Sequence, residues 1–101
     1  MMFILQTVQL MNDKIKEALG ILQEECAEVI VEVSKCNRFG IDSLHYKTGL
    51  THNKMLEAEI GDVLTMVDIL IEQGVLDIQA LEQAKVAKKE KLKIWSTIYA
   101  Q

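Results

Sequence analysis

The chain has 101 residues, the length of one domain, so a second catalytic domain is excluded. Half of the residues are hydrophobic and 26% are charged, a globular balance and not that of a disordered segment. With 15 acidic against 11 basic side chains the formal charge is −4, the wrong sign for a protein that gains affinity by neutralising phosphates, so no nucleic-acid polymer is expected as a partner.

There is no proline and there are only five glycines, so the punctuation needed for many short strands is missing and an all-α fold of long helices is expected. The apolar opening Met1-Met2-Phe3-Ile4-Leu5 lacks a basic leader and stops at Gln6. It is too short for a signal segment or a membrane span of roughly 20 residues, which predicts a cytoplasmic protein with no membrane partner.

Helix one is predicted from Asn12, as N-cap, to about Cys36, with Ile15, Ala18, Leu22, Cys26, Val29 and Val33 recurring as one apolar stripe. Cys26 and Cys36 are separated by roughly 15 Å of helix, too far for a disulfide, and read as two small buried hydrophobes. Residues 37–50 carry two glycines and no sustained period, and they read as a long loop with room for a short helical turn. Helix two is predicted from Thr51–Asn53 to Gln73, with Gly74 just past its end, and helix three from an Asp77 cap to about Tyr99. Three long helices in so short a chain leave an incomplete, four-helix-bundle-like core, which oligomerisation to a homodimer or homotetramer would complete.

The acids of helix two divide into two groups when residues are placed at about 100° each. Leu56, Ile60, Val63, Leu64, Val67, Leu70 and Ile71 form the expected core stripe, while Glu57, Asp68 and Glu72 share the opposite, solvated side with Gly61 and Thr65. Glu59 and Asp62 fit neither group, because their sector also holds Met55, Met66 and Ile69. Helix one repeats the oddity: Glu17, Glu24, Glu25, Glu28 and Glu32 share a sector with Ile21 inside it and Val31 at its edge. Each helix therefore presents two acids three residues apart, Glu25/Glu28 and Glu59/Asp62, neighbours on one face.

If the two faces meet, like charges about 4 Å apart repel by roughly 4 kcal/mol per pair at an effective dielectric near 20. Either raised pKa values or bound cations must relieve this. A set of oxygen donors without histidine or cysteine suits Mg²⁺, Mn²⁺ or Ca²⁺ better than zinc. The Glu-x-x-His pairs of di-iron bundles and the EF-hand loop pattern are both missing from the sequence. Mg²⁺ commonly completes its shell with phosphate oxygens, which points to a phosphorylated substrate. On helix three Lys88 and Lys91 fall within the stripe of Leu81, Ala84, Leu92, Trp95 and Tyr99, either to meet phosphate or to snorkel along apolar surface. In the loop, Arg38, Phe39, His45, Tyr46 and Lys47 are either contacts for a base or phosphate or ordinary surface.

Glu24-Glu25-Cys26-Ala27-Glu28 followed by Glu59-Ile60-Gly61-Asp62 resembles the EExxE…ExxD signature of the MazG-like nucleotide pyrophosphohydrolases, in the all-α NTP pyrophosphatase superfamily. The resemblance extends over most of residues 12–99, with a rather long spacer between its two motifs. It implies Mg²⁺-dependent cleavage of a nucleoside triphosphate to the monophosphate and pyrophosphate, with Mn²⁺ as a substitute ion, in house-cleaning or nucleotide-pool control. By motif position it implies Glu25, Glu28, Glu59 and Asp62 as metal ligands and Glu24 as the residue that orients or deprotonates the attacking water. Two other readings stand beside it: a non-catalytic helical dimerisation or regulatory module, and a pyrophosphohydrolase of the phosphoribosyl-ATP type.

Overall fold

A computed structural model describes the backbone of residues 2–101 and the side chains of residues 13–101. The described residues form three helices, α1 (Met2–Phe39), α2 (His52–Glu72) and α3 (Ile78–Trp95), and no strand. None of these helices is long and apolar enough to cross a membrane.

α1 is longer than its apolar period predicts. Residues 2–12 contain neither glycine nor proline, so nothing halts helix propagation there, and Asn12 lies within the helix instead of capping it. At its other end Gly40 takes a left-handed conformation (φ 95°) and donates its N–H to the Cys36 carbonyl at 2.9 Å, an αL stop three residues beyond the expected end. α2 starts after Thr51 as predicted and ends in a Schellman motif. There Gly74 (φ 75°) donates to the Ile71 carbonyl at 3.0 Å, and Val75 donates to that of Leu70 at 2.9 Å.

The segment between them holds one isolated helical turn, in which Gly49 donates its N–H to the His45 carbonyl at 2.9 Å. It is closed by an antiparallel bridge between Leu44 and Thr51, with His45 N–H on the Leu50 carbonyl (2.8 Å) and His52 N–H on the Ser43 carbonyl (3.0 Å). Asp77 caps α3 as expected, its carboxylate accepting the Ala80 N–H at 2.9 Å. α3 stops at Trp95, short of the expected Tyr99, where extended Ser96 directs both its N–H (3.0 Å) and its hydroxyl (2.7 Å) to the Leu92 carbonyl.

α1 and α2 pack antiparallel around Ala18, Met66 and Leu70, with Ile21, Leu22, Ile69 and Leu76 against them. As numbers rise along α1 they fall along α2: Ala18 shares a cluster with Met66, Glu25 meets Glu59, and Phe39 stacks on His52. The seam repeats every seven residues, Ala18, Glu25, Glu32 and Phe39 on one side and Met66, Glu59 and His52 on the other.

This seam corrects the expected stripes. On α2 the side facing α1 takes Leu70 from the anticipated core stripe and otherwise the sector of Met55, Glu59, Met66 and Ile69, whereas Ile60 and Leu64 of that stripe are exposed. On α1, Cys26 and Val33 are exposed and Glu25 and Glu32 turn inward in their place. Cys26 is therefore not a buried hydrophobe, although it and half-buried Cys36 are both free thiols, as their separation requires. α3 buries none of its residues, and Leu81, Ala84, Leu92 and Tyr99 of its expected stripe line an open groove of about 830 Å³ shared with Leu64, Val67 and Ile71 of α2. The molecule measures 55 × 39 × 16 Å. Its thinnest dimension is little more than one helix with its side chains.

Candidate metal centre

Midway along the α1–α2 seam three carboxylates converge. Glu25 of α1 and Glu59 of α2 are half-buried, Asp62 is exposed one turn beyond Glu59, and one oxygen of each lies within 4.8 Å of the others. Glu59 and Asp62 are brought together by their three-residue spacing, and Glu25 by the antiparallel register.

Partial burial pushes the Glu25 carboxyl above its ordinary value of 4.5, and the negative charges of Asp62 and then Glu59 push it the same way. A folded-state pKa raised in this sense contributes stability that is fully present below the unfolded value and is lost as pH rises through the folded one. Metal-free protein should therefore lose melting temperature as pH rises above the ordinary carboxyl value of 4.5, and Glu25→Gln should flatten that dependence. Mg²⁺ or Mn²⁺ should restore the loss at the upper end and have little effect at the lower, because the ion must compete with the proton. Thermal melts of both proteins across this range, with and without metal, check the expectation.

The donor set suits a hard divalent cation: three carboxylate oxygens, no thiolate and no imidazole. Glu28, on the next turn of α1, is exposed and lies outside this group, so the expected quartet is a triad in the structure. Glu24 is exposed and adjoins Glu25 in sequence. Lys88, Lys91 and Trp95, expected along an inward stripe, are exposed on α3, with Trp95 82% accessible. Lys88 lines the open groove between α2 and α3, Lys91 and Trp95 lie outside it, and α3 buries none of its residues. Arg38 is exposed at the end of α1, its guanidinium 4.9 Å from the centre of the Phe39 ring.

Two inward residues were not singled out as site residues by the sequence. Glu32 is only 4% exposed, with Oε1 3.4 Å from the Lys35 ammonium and Oε2 without a hydrogen-bond partner. His52 is also 4% exposed, and its Nδ1 has no partner. The seven-residue repeat Glu25–Glu32 and His52–Glu59 is the signal that identifies both, because it places them on the faces that carry the triad. No family model matches this chain, and neither a curated protein nor a solved structure matches it.

Proposed function

We propose that the protein is a divalent-metal-dependent nucleoside triphosphate pyrophosphohydrolase of the cytoplasm, acting in house-cleaning or nucleotide-pool control. The observation that carries this reading is the meeting of Glu25 with Glu59 and Asp62 across two helices, since these are acids of the two motifs on which the family resemblance rests.

In this reading Glu25, Glu59 and Asp62 hold Mg²⁺, or Mn²⁺ in its place, and Glu28 joins them from the neighbouring turn of α1. A bound cation would supply neutralisation of phosphoryl charge and would make water more acidic. Glu24 would orient the attacking water and take its proton. The hydroxide joins one phosphorus of the α–β anhydride, and the bridging oxygen leaves with the other, giving the monophosphate and pyrophosphate. No side chain becomes covalently attached, so neither cysteine takes part. Arg38 is assigned to the nucleotide from the end of α1.

The working form is proposed to be a homodimer or homotetramer with a bundle core completed between copies. A folded monomer of 11.5 kDa exposes about 5,800 Å² by size scaling, whereas this protomer exposes 8291 Å². The excess is of the order an obligate interface removes from each partner. Lys88, Lys91 and Trp95 serve as phosphate and ring contacts in this reading only where α3 packs against a neighbouring copy.

The test is pyrophosphate release from a panel of NTPs, dNTPs and phosphoribosyl-ATP with Mg²⁺ or Mn²⁺, beside an EDTA control. Release from at least one nucleotide, abolished by EDTA, is expected. Failure of folded protein across the panel would leave a non-catalytic dimerisation module, a reading that the exposed apolar faces of α2 and α3 favour.

A further inference from the structure

Two buried polar groups on the α1–α2 seam have no part in the triad. Glu32 of α1 and His52 of α2 are each only 4% exposed, and neither Oε2 of the first nor Nδ1 of the second has a hydrogen-bond partner. The antiparallel register that sets Ala18 by Met66 and Glu25 by Glu59 advances by seven residues to set Glu32 opposite His52. A carboxylate oxygen can only accept, whereas a neutral imidazole donates from whichever nitrogen carries its proton. Both atoms are closed off from water, so each left unpaired forfeits its hydration without return. Joined, they satisfy one another.

The remaining edges of both side chains are already engaged. Lys35 holds the other Glu32 oxygen, its ammonium 3.4 Å from Oε1. The His52 ring stacks on Phe39 with centroids 5.4 Å apart and meets His45 edge-on at 6.0 Å, in the wall of a pocket of about 580 Å³ at the loop. His52 is also the residue at which α2 begins. Thr51, its N-cap, makes no side-chain cap bond, so tertiary contacts orient the first turn. Among them, the N–H groups of His52 and Asn53 reach the carbonyls of Ser43 and Ile41, each at 3.0 Å. Glu59 stands seven residues further on, at nearly the same angle about the helix axis. Two turns are only about 10 Å of a stiff rod, so a rotation of α2 at His52 is reproduced at Glu59.

We propose that Glu32 and His52 are a positioning pair for the metal centre: His52 Nδ1–H donates to Glu32 Oε2, which fixes the rotation of α2 on α1 and holds Glu59 against Glu25. It rests on the reading of the triad as a cation site, and it adds two residues that touch neither ion nor nucleotide. A cation that draws Glu59 toward Glu25 favours the same rotation as the bond between Glu32 and His52, so each strengthens the other.

The test is calorimetric binding of Mg²⁺ to the full chain, beside nitrogen NMR of the imidazoles. Glu32→Met and His52→Phe, each close in size to the residue replaced, should raise the Mg²⁺ dissociation constant roughly tenfold. The double variant should lose no more than either single one, because the same bond is broken in all three. His52→Asn keeps an N–H donor near the position of Nδ1 and should recover most of the affinity that His52→Phe loses. In wild type the His52 proton should reside on Nδ1, and that nitrogen resonance should move when Mg²⁺ is added. Single variants that bind Mg²⁺ as wild type does, losses that add in the double variant, or an Asn variant as weak as the Phe variant would overturn the pair and leave the triad standing. A wild type that binds no divalent cation would overturn the metal centre and the pair together. Should the variants fail to fold, the wild-type resonances decide: a His52 proton on Nε2, or nitrogen shifts that Mg²⁺ leaves unmoved, overturns the pair.

Discussion

Replacing Glu59 by glutamine should lower metal-supported pyrophosphate release at least about a hundredfold, because it would remove one of the carboxylate charges proposed to hold the cation while keeping shape. The same change should leave the melting temperature of metal-free protein no lower than that of wild type. Glu59 lies within 4.8 Å of Glu25 and Asp62, so neutralising it relieves repulsion between like charges. Loss of activity without loss of stability is the signature of a group kept for function. Glu57→Gln, on the solvated side of α2, is the control and should change neither rate nor stability. A Glu59→Gln enzyme that turns over like wild type would remove the triad from the mechanism.

The second large effect concerns assembly. Wild-type protein should run in light scattering at a mass of at least two chains of 11.5 kDa, and Leu64→Lys combined with Val86→Lys should run as a monomer. Both positions are exposed within the protomer, at 57% and 64%, so lysine there disturbs no contact inside the chain. Between copies the same lysines must lose their water, and the dissociation constant of the oligomer should rise by at least about a hundredfold. A monomeric wild type at micromolar concentration would refute the assembly. An unchanged oligomer in the double variant would show that the α2–α3 groove is not its interface.

The triad illustrates what was legible in the residues. Glu59 and Asp62 stand out because they sit among Met55, Met66 and Ile69, and that sector is the side that meets α1. Glu25 stands out because it borders the apolar stripe of α1, and it too turns inward. Glu28 shares Glu25's helix and spacing, but exposure is a property of the packed pair and not of the period, so its separation from the triad was not visible. The stripe of α2 is only partly its buried side, with Leu70 in the core and Ile60 and Leu64 exposed, for a related reason. Ile60, Leu64 and Ile71 form its more apolar side, and hydrophobicity identifies a surface that seeks cover without naming what provides it. Within the chain α1 covers Leu70 together with the more polar side.

Cap and turn chemistry transferred where a local hydrogen bond determines the outcome. Gly74 and Asp77 act as their types and positions predict. Asn12 does not, because a cap residue ends a helix only when the chain before it leaves the helical conformation, and residues 2–12 do not. The loop was harder to read, since its form depends on a single bridge, Leu44 to Thr51, that pairs residues from its two ends.

Helix content, the short-range pairing of acids and the stops at glycine follow from the sequence by itself, because each is set by contacts within one or two turns. The rotation of α1 against α2, the burial of Glu32 and His52, the ring pocket at the loop and the isolation of α3 were decided only by tertiary structure. Each requires two surfaces far apart in the chain to choose one another, and that choice minimises the exposed area of the whole molecule, not of any one segment.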